Sequence, residues 1–460
     1  MEMIKDETNH QTPTLRITQV IDKKVQSLTH CTNVLELPSI FKVHQGLRRN
    51  NPEAYTPMLI SIGPYHHANL NLQPSELLKF SYLLSFLART DEESVERYVK
   101  ALQELKHKAL NCYAHLSQIE INDDLLVEMM LLDGCFIVEF VRRYSEIGQN
   151  NDVYKHDPIF GTDWMKVQVC CDLMLLENQL PYFVLSELYD LNGSDDDDKE
   201  PFSNLAMLVF SDMIPKLCPG SIFLNEIEEQ EINHLLHLVH ILCRPVSSEL
   251  KSLEGFNSGS EVMDQMHCVK ELEEAGIKFK KCGKVYAGID SLDADSIDDK
   301  VSLFDIKFNE GLMEIPSLKV EDSTETFFRN LIAYEQHSSE IRPKYFTDYA
   351  VFMDQLINTD QDVNVLRRNG IIVNLLGDDG EVATLFNKLG DGVIISSNFY
   401  YLGICKQVNQ HCGKIWNVVM ATLRHDYFNT PWVTVSTIAA VLLLLLTIIQ
   451  TIASVIPLLS

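Results

Sequence analysis

Positive charge is scarce in this 460-residue chain. Its 38 lysines and arginines face 65 aspartates and glutamates, for a net charge of −27. Such a surface repels phosphate backbones, which argues against nucleic acid as a partner and against docking of the soluble part on anionic lipid. A basic protein or peptide suits it better. An apolar stretch near the N-terminus is also missing: MEMIKDETNHQTPTLRITQV is polar, so no secretory signal is expected. No CxxC pair occurs, which excludes zinc ribbons and thioredoxin-like redox sites. The eleven cysteines are odd in number and irregularly spaced, and some, such as Cys135, sit inside apolar runs. They read as buried free thiols of a reducing compartment. HExxH and GxSxG are absent, and no internal repeat is found. GIKFKKCGKV places six residues between its glycines and Val285 after Lys284, so it is not a phosphate-binding loop.

The C-terminus is of another kind. From Pro431 to Ser460 no side chain is charged, and Val441 to Leu446 is an unbroken apolar run. Val435 to Ile456 is 22 residues, about 33 Å as a helix and enough to cross a bilayer core. A transmembrane helix is therefore expected over 432–457, with Trp432 at its entry. Its position suggests a single-pass tail anchor with the body in the cytosol. Arg424 and Lys414 precede the span and no basic residue follows it, in keeping with that orientation. One glycosylation sequon, Asn192-Gly193-Ser194, lies outside the span.

Between the ends the chain reads as mainly α (α+β): a helical body with a small antiparallel sheet. Residues 1–33 are expected to be a disordered polar tail and 34–430 a globular helical domain. Residues 35–65 read as loops and short strands, rich in Pro, Asn and Gly. Thr90 and Glu93 form a capping-box pattern before an apolar face stepping by three and four from Val95 to Leu116. NDDLLVEMMLLDGCFIVEFVRRYSE is apolar nearly all round and should be a central buried helix. Pro181 divides the next apolar stretch into two helices. An acidic linker, 192–201, and a loose loop, 244–260, separate further helices near 202–217 and 226–243. A helix stopped by Gly276 leads to a strand, and Asn309-Glu310-Gly311 signals a hairpin. Residues 322–427 read as helical again.

Candidate chemistry comes from a few places. In LISIGPYHHANL, residues 59–70, Leu59, Ile60 and Ile62 read as a short buried strand ended by Gly63-Pro64, followed by Tyr65, His66 and His67. Adjacent side chains on extended backbone point oppositely, so the two histidines cannot both ligate one ion, and a structural corner is the better reading. His234, His237 and His240 share one helical stretch; neighbouring pairs could share a metal, but all three cannot reach one ion. They read as packing, hydrogen-bonding histidines. The acidic run 290–299 fails the EF-hand pattern at Ile297, Asp298 and Phe304. Asp133 and Glu177 lie inside apolar runs, where an unpaired acid is costly. They could be an acid/base pair, as in a glycosidase. Alternatively, Glu177, Asn178 and Gln179 satisfy backbone groups where a helix ends before Pro181.

Taken together, several stretches resemble the plant DUF247 (UPF0481) family, in family order: LRRNNPEAYTPMLISIGPYHH, LLDGCFIVEF, DLMLLENQLPYFVL, HLLHLV, ELEEAGIKFK, LFDIKFNEGLMEIPSLKVEDSTETFFRNLIAYEQ, VFMDQLINTDQDVNVLRRNGII and the C-terminal run from WNVVMATLRHDYF. The resemblance covers about residues 35–455. It departs at Val43-His44, where the family usually has Val-Pro, and at Ala68, where it has Gly. It implies a plant membrane-anchored protein, expected at the plasma membrane, with no established enzymatic activity. Some grass relatives are implicated on the pollen side of self-incompatibility. No catalytic residue, cofactor or metal site comes with it, and none is assigned. The expected function is a membrane-tethered interaction or recognition module. The alternative is a hydrolase using buried carboxylates or histidines.

Overall fold

The computed structural model describes residues 17–18, 21–23, 37–114, 121–147, 154–193, 200–211, 213, 229–245, 265–282, 302–395, 398–414 and 431–459. Most of the acidic linker and of the 244–260 loop, the whole acidic run 290–299, and the approach to the anchor lie outside these residues.

The chain enters the body through Ser39 and Ile40, whose amides both bond to the Cys112 carbonyl. A one-turn helix, Gln45–Arg48, follows. The first long helices are α1 (Gln73–Ala88), α2 (Glu96–Asn111) and α3 (Asp123–Ile147). α2 begins five residues later than the Thr90 capping pattern suggests. Asp91 has φ +52°, which breaks the helical path, and Thr90 instead bonds back to Leu87. α3 is the central buried helix expected: almost every residue from Leu126 to Arg143 is buried. α1, α2, α5 (Tyr182–Leu191) and α6 (Phe202–Phe210) pack around it. A methyl at Gly134 would stand 2.4 Å from the end of the Leu188 side chain, which would have to shift to admit it. α4 (Asp163–Leu173) lies between α3 and α5 in sequence, and Pro181 caps α5 as expected.

The second half begins with α7 (Leu235–Cys243) and α8 (Val269–Glu274). Gly276, at φ +91°, ends α8 and leads into β1 (Lys278–Cys282). β2 (Lys307–Asn309) and β3 (Leu312–Pro316) form the expected antiparallel hairpin, with Glu310 and Gly311 at positive φ. β1 joins β3 in parallel, so the sheet is mixed. Next come β4 (Leu318–Val320), α9 (Thr324–His337), α10 (Tyr345–Leu356) and α11 (Asp360–Arg368). The stretch read as all helix contains one strand, β5 (Ile372–Asn374), parallel to β4. Gly370 at φ +71° stops α11, and the β-branched run after it pairs instead of coiling. α12 (Asp379–Leu389) and α13 (Leu402–Cys412) complete the body, and α14 (Pro431–Leu459) is the C-terminal apolar helix. Buried side chains of both halves form one cluster, from Val43 to Val408.

Residues 35–65 hold no strand among those described, only a single bridge between Ile40 and Tyr113. In the N-terminal tail, residues 17, 18 and 21–23 are helical, and Ile17 and Ile21 are exposed.

Candidate functional site

Ile60 and Ile62 are fully buried, yet the segment from Met58 to Gly63 pairs with no strand. Its backbone is held by side chains. Asp172 accepts from the amides of Met58, Leu59 and Ile60 at 3.0, 2.7 and 2.8 Å. Asn178 accepts from Ile62 at 2.6 Å and donates to the Ile60 carbonyl at 3.0 Å. Asp133 accepts from Gly63 at 2.8 Å. Gly63 has φ +68°, and a Cβ there would stand 2.6 Å from the Gln179 carbonyl, so only glycine fits. The short strand read from the sequence is thus a clasp: carboxylates and an amide do what a neighbouring strand would do.

The acids of the clasp are themselves paired. Lys79, fully buried on α1, lies 2.6 Å from Asp133 and 2.7 Å from Glu76. Burial works against the ammonium, but the two carboxylates outweigh it and hold Lys79 charged. Asp172 takes a fourth bond from Gln168. Glu177 accepts from the Val43 amide at 2.6 Å, pairs with Arg48 at 2.6 Å and lies 3.3 Å from His66. Burial opposes its charge, yet His66, Arg48 and that amide keep its carboxyl below the ordinary range. Gln179 donates to the carbonyls of Leu173 and Leu175, closing the end of α4, and accepts from Leu236. Among the described residues, the Ser61 hydroxyl is the clasp's buried oxygen without a hydrogen bond.

Asp133 and Glu177 therefore do not meet as an acid/base pair around an open site. Both oxygens of each are taken by backbone, by Lys79 or Arg48, or by the His66 ring, and both residues are at most 2% exposed. His66 braces Glu177, His67 is exposed, and Tyr65 bonds the carbonyls of Ile40 and Ala114, the corner the sequence suggested. Asp172 and Lys79 escaped sequence reasoning. Both stand in apolar runs, VCCDLMLL and ELLKFSYLL, and so carry the same signal that singled out Asp133.

A second polar cluster lies between α7, α9 and α10. His234 caps α7, accepting from His237 N, and its other nitrogen meets the Ser39 carbonyl. His237 accepts from Asn233. The three histidines pack on one ring, Tyr334, with centroids 4.8, 5.5 and 5.8 Å away. Burial drives His234 down to about 3 and the other two well below the ordinary value, so all three are neutral. His240 lies 2.9 Å from Glu335, whose carboxylate also accepts from the amides of Phe346 and Thr347. Glu335 on α9 thus caps the first turn of α10. Beside it, one oxygen of buried Asp348 accepts from Tyr400, while the other oxygen and the Tyr349 hydroxyl have no hydrogen bond among the described residues. Burial raises Glu335 and Asp348 to about 7. Glu335, in AYEQ on the buried face of α9, was also missed from sequence. Among the described residues, no three His, Cys, Asp or Glu side chains converge as metal ligands would.

Asn192, the sequon residue, is 3% exposed. Its amide donates to the Phe86 carbonyl and to Tyr98, and its oxygen accepts from Arg142. The folded chain has no room for a glycan there.

The DUF247 family model, described as a plant protein of unknown function, matches residues 40–446. A UPF0481 protein of Arabidopsis thaliana is 31% identical over 422 residues, covering 89% of this chain and 85% of that protein. A putative UPF0481 protein of the same plant is 24% identical over 495 residues, covering 90% and 89%. No solved structure matches the chain.

Proposed function

The chain belongs to the plant DUF247 family, and on that footing we propose that it is a membrane-tethered protein-interaction module, not an enzyme. The observation that carries this reading is the C-terminal helix. Its window Val435–Ile452 has a mean hydropathy of 2.4 and none of it is buried against the body. A helix so long and apolar is suited to cross a membrane. It would tether an acidic body to a surface, where a basic protein or peptide is the complementary partner. The residues a hydrolase would draw on support the same view. Asp133, Glu177 and His66 hold backbone and one another, and His237 is packed on Tyr334.

On this reading the body faces the cytosol, the membrane is the plasma membrane, and the process is signalling; self-recognition of a secreted partner, of the kind the grass relatives suggest, would instead need the body outside the cell. The full chain in lipid nanodiscs, presented to basic peptides and proteins, should bind one saturably, and salt should weaken the binding. No saturable partner at any salt concentration would count against the module. Protease treatment of sealed microsomes tests the orientation: a protected body would contradict the cytosolic side. A glycan on Asn192 would contradict it as well, because transfer to the sequon precedes the folding that buries that side chain.

A further inference from the structure

Helix α1 is apolar on both sides. Its inner face buries Tyr82, Phe86 and Leu87. Its outer face presents Leu77, Phe80 and Leu84, exposed by 74%, 48% and 70%, and Leu70 stands just ahead at 75%. Steps of three and four residues set the three helical side chains in one row. The other outward positions, Gln73, Pro74, Ser81 and Ala88, carry no charge. Scattered exposed leucines are ordinary, but a contiguous apolar row on a helix marks a contact surface.

The charges around the row select its occupant. Just past its end, Asp91 and Glu93 are exposed acids, and at its start Glu76 is partly exposed. The cations nearby are engaged: Lys79 is buried against Glu76 and Asp133, and Arg89 is held by Glu139 and Glu146. A helix that lies on lipid has the opposite plan, with lysine and arginine beside its apolar face. A second copy of the chain would bring its own Glu76 or Asp91 against these acids, whichever way the two helices ran, in a protein of net charge −27. An extended segment would need free backbone to pair with, and the backbone of α1 is spent on its own helix.

We propose that α1 is the docking surface for a basic amphipathic helix of a partner protein. Apolar residues of that helix, spaced by three and four, settle along Leu77, Phe80 and Leu84, and its lysines or arginines meet Asp91 and Glu93. The row from Leu77 to Ala88 is about 18 Å long, so three to four turns of partner helix, roughly 12–14 residues, cover it. This rests on the basic partner proposed above and adds where that partner binds and in what form.

The test uses the full chain in phosphatidylcholine nanodiscs, with empty nanodiscs as the lipid blank. The probe is a labelled peptide of about 14 residues, leucines on one helical face and lysines on the other, beside a scrambled peptide of the same composition. The patterned peptide should bind saturably, and the scrambled one about tenfold more weakly. Leu77→Glu with Leu84→Glu should also weaken binding about tenfold, although it adds two negative charges, because the apolar contact is lost. Both side chains point to solvent and glutamate suits a helix, so circular dichroism should not change. Asp91→Asn with Glu93→Gln should weaken binding about threefold at low salt and hardly at all at high salt. Equal binding of the scrambled peptide, binding undiminished by the glutamate pair, or no binding above the blank would overturn the assignment. So would a dimer of the full chain that the glutamate pair splits, or a Phe80→Trp variant quenched by brominated lipid. Basic proteins that bind saturably and ignore the α1 variants would remove this site and leave the interaction module standing; the lack of any basic partner would remove both.

Discussion

The two buried polar clusters differ in how completely they are satisfied. Around Met58–Gly63 each carboxylate is matched by amides or by a cation, and the arrangement is rigid in its demands. Around Glu335 and Asp348 the match is incomplete. Asp348 has one oxygen on Tyr400 and the other without a hydrogen bond among the described residues, next to the equally solitary Tyr349 hydroxyl. A satisfied network stabilises and specifies; an under-satisfied one makes stability depend on whether its acid is charged.

The largest effect should come from breaking the clasp. Asp172→Ala leaves three backbone amides without their acceptor and should cost about 4 kcal/mol, with Asp172→Asn losing less. Thermal unfolding of the full chain reads both, and an unchanged midpoint would dissolve the distinction. Next, Lys79→Met strands Asp133 as a buried charge and should cost about 3 kcal/mol. Adding Asp133→Asn should recover part of it, because the asparagine oxygen can still accept from Gly63.

In the second cluster the effect should follow pH. Asp348 titrates near 7 in the fold and near 4 in the unfolded chain. Its contribution is therefore whole below about pH 4 and is lost as pH rises through 7, by up to about 1.4 kcal/mol per pH unit. Asp348→Asn should be more stable than the parent by roughly 1–2 kcal/mol at pH 8 and level with it near pH 4. Parallel curves for the two proteins would remove Asp348 from the account. The smallest contrast is between neighbours: His66→Ala should cost about 1 kcal/mol by loosening Glu177, and exposed His67→Ala less than about 0.5 kcal/mol.

Much of the architecture was legible in the sequence because it rests on period. The all-round apolarity of α3, the proline before α5, the glycine after α8 and the uncharged α14 each state their structure locally. Segment 59–62 was read as a strand because its apolar residues look like one. The error came from what the chain alone cannot display, namely that Asp172, more than a hundred residues away, occupies the place of a partner strand. β5 was lost in the same way, since three residues between helices acquire strand character only by meeting β4. The cap of α10 is likewise supplied from α9, not from the residues that precede it. Acids in apolar runs were the right signal, read at Asp133 and Glu177 and passed over at Asp172.

The clasp has a consequence in time as well as in space. Met58 and Asp172 are separated by 114 positions along the chain. At ordinary rates of synthesis, about 5–20 residues per second, Asp172 is made about 6–23 s after Met58. Through that interval Leu59, Ile60 and Ile62 form a newborn apolar ribbon with its amides unpaired, the kind of edge that neighbouring chains seize. The segment most firmly fastened in the finished protein is thus among the most exposed while it is being made, and holding it back from premature pairing falls to whatever attends the nascent chain.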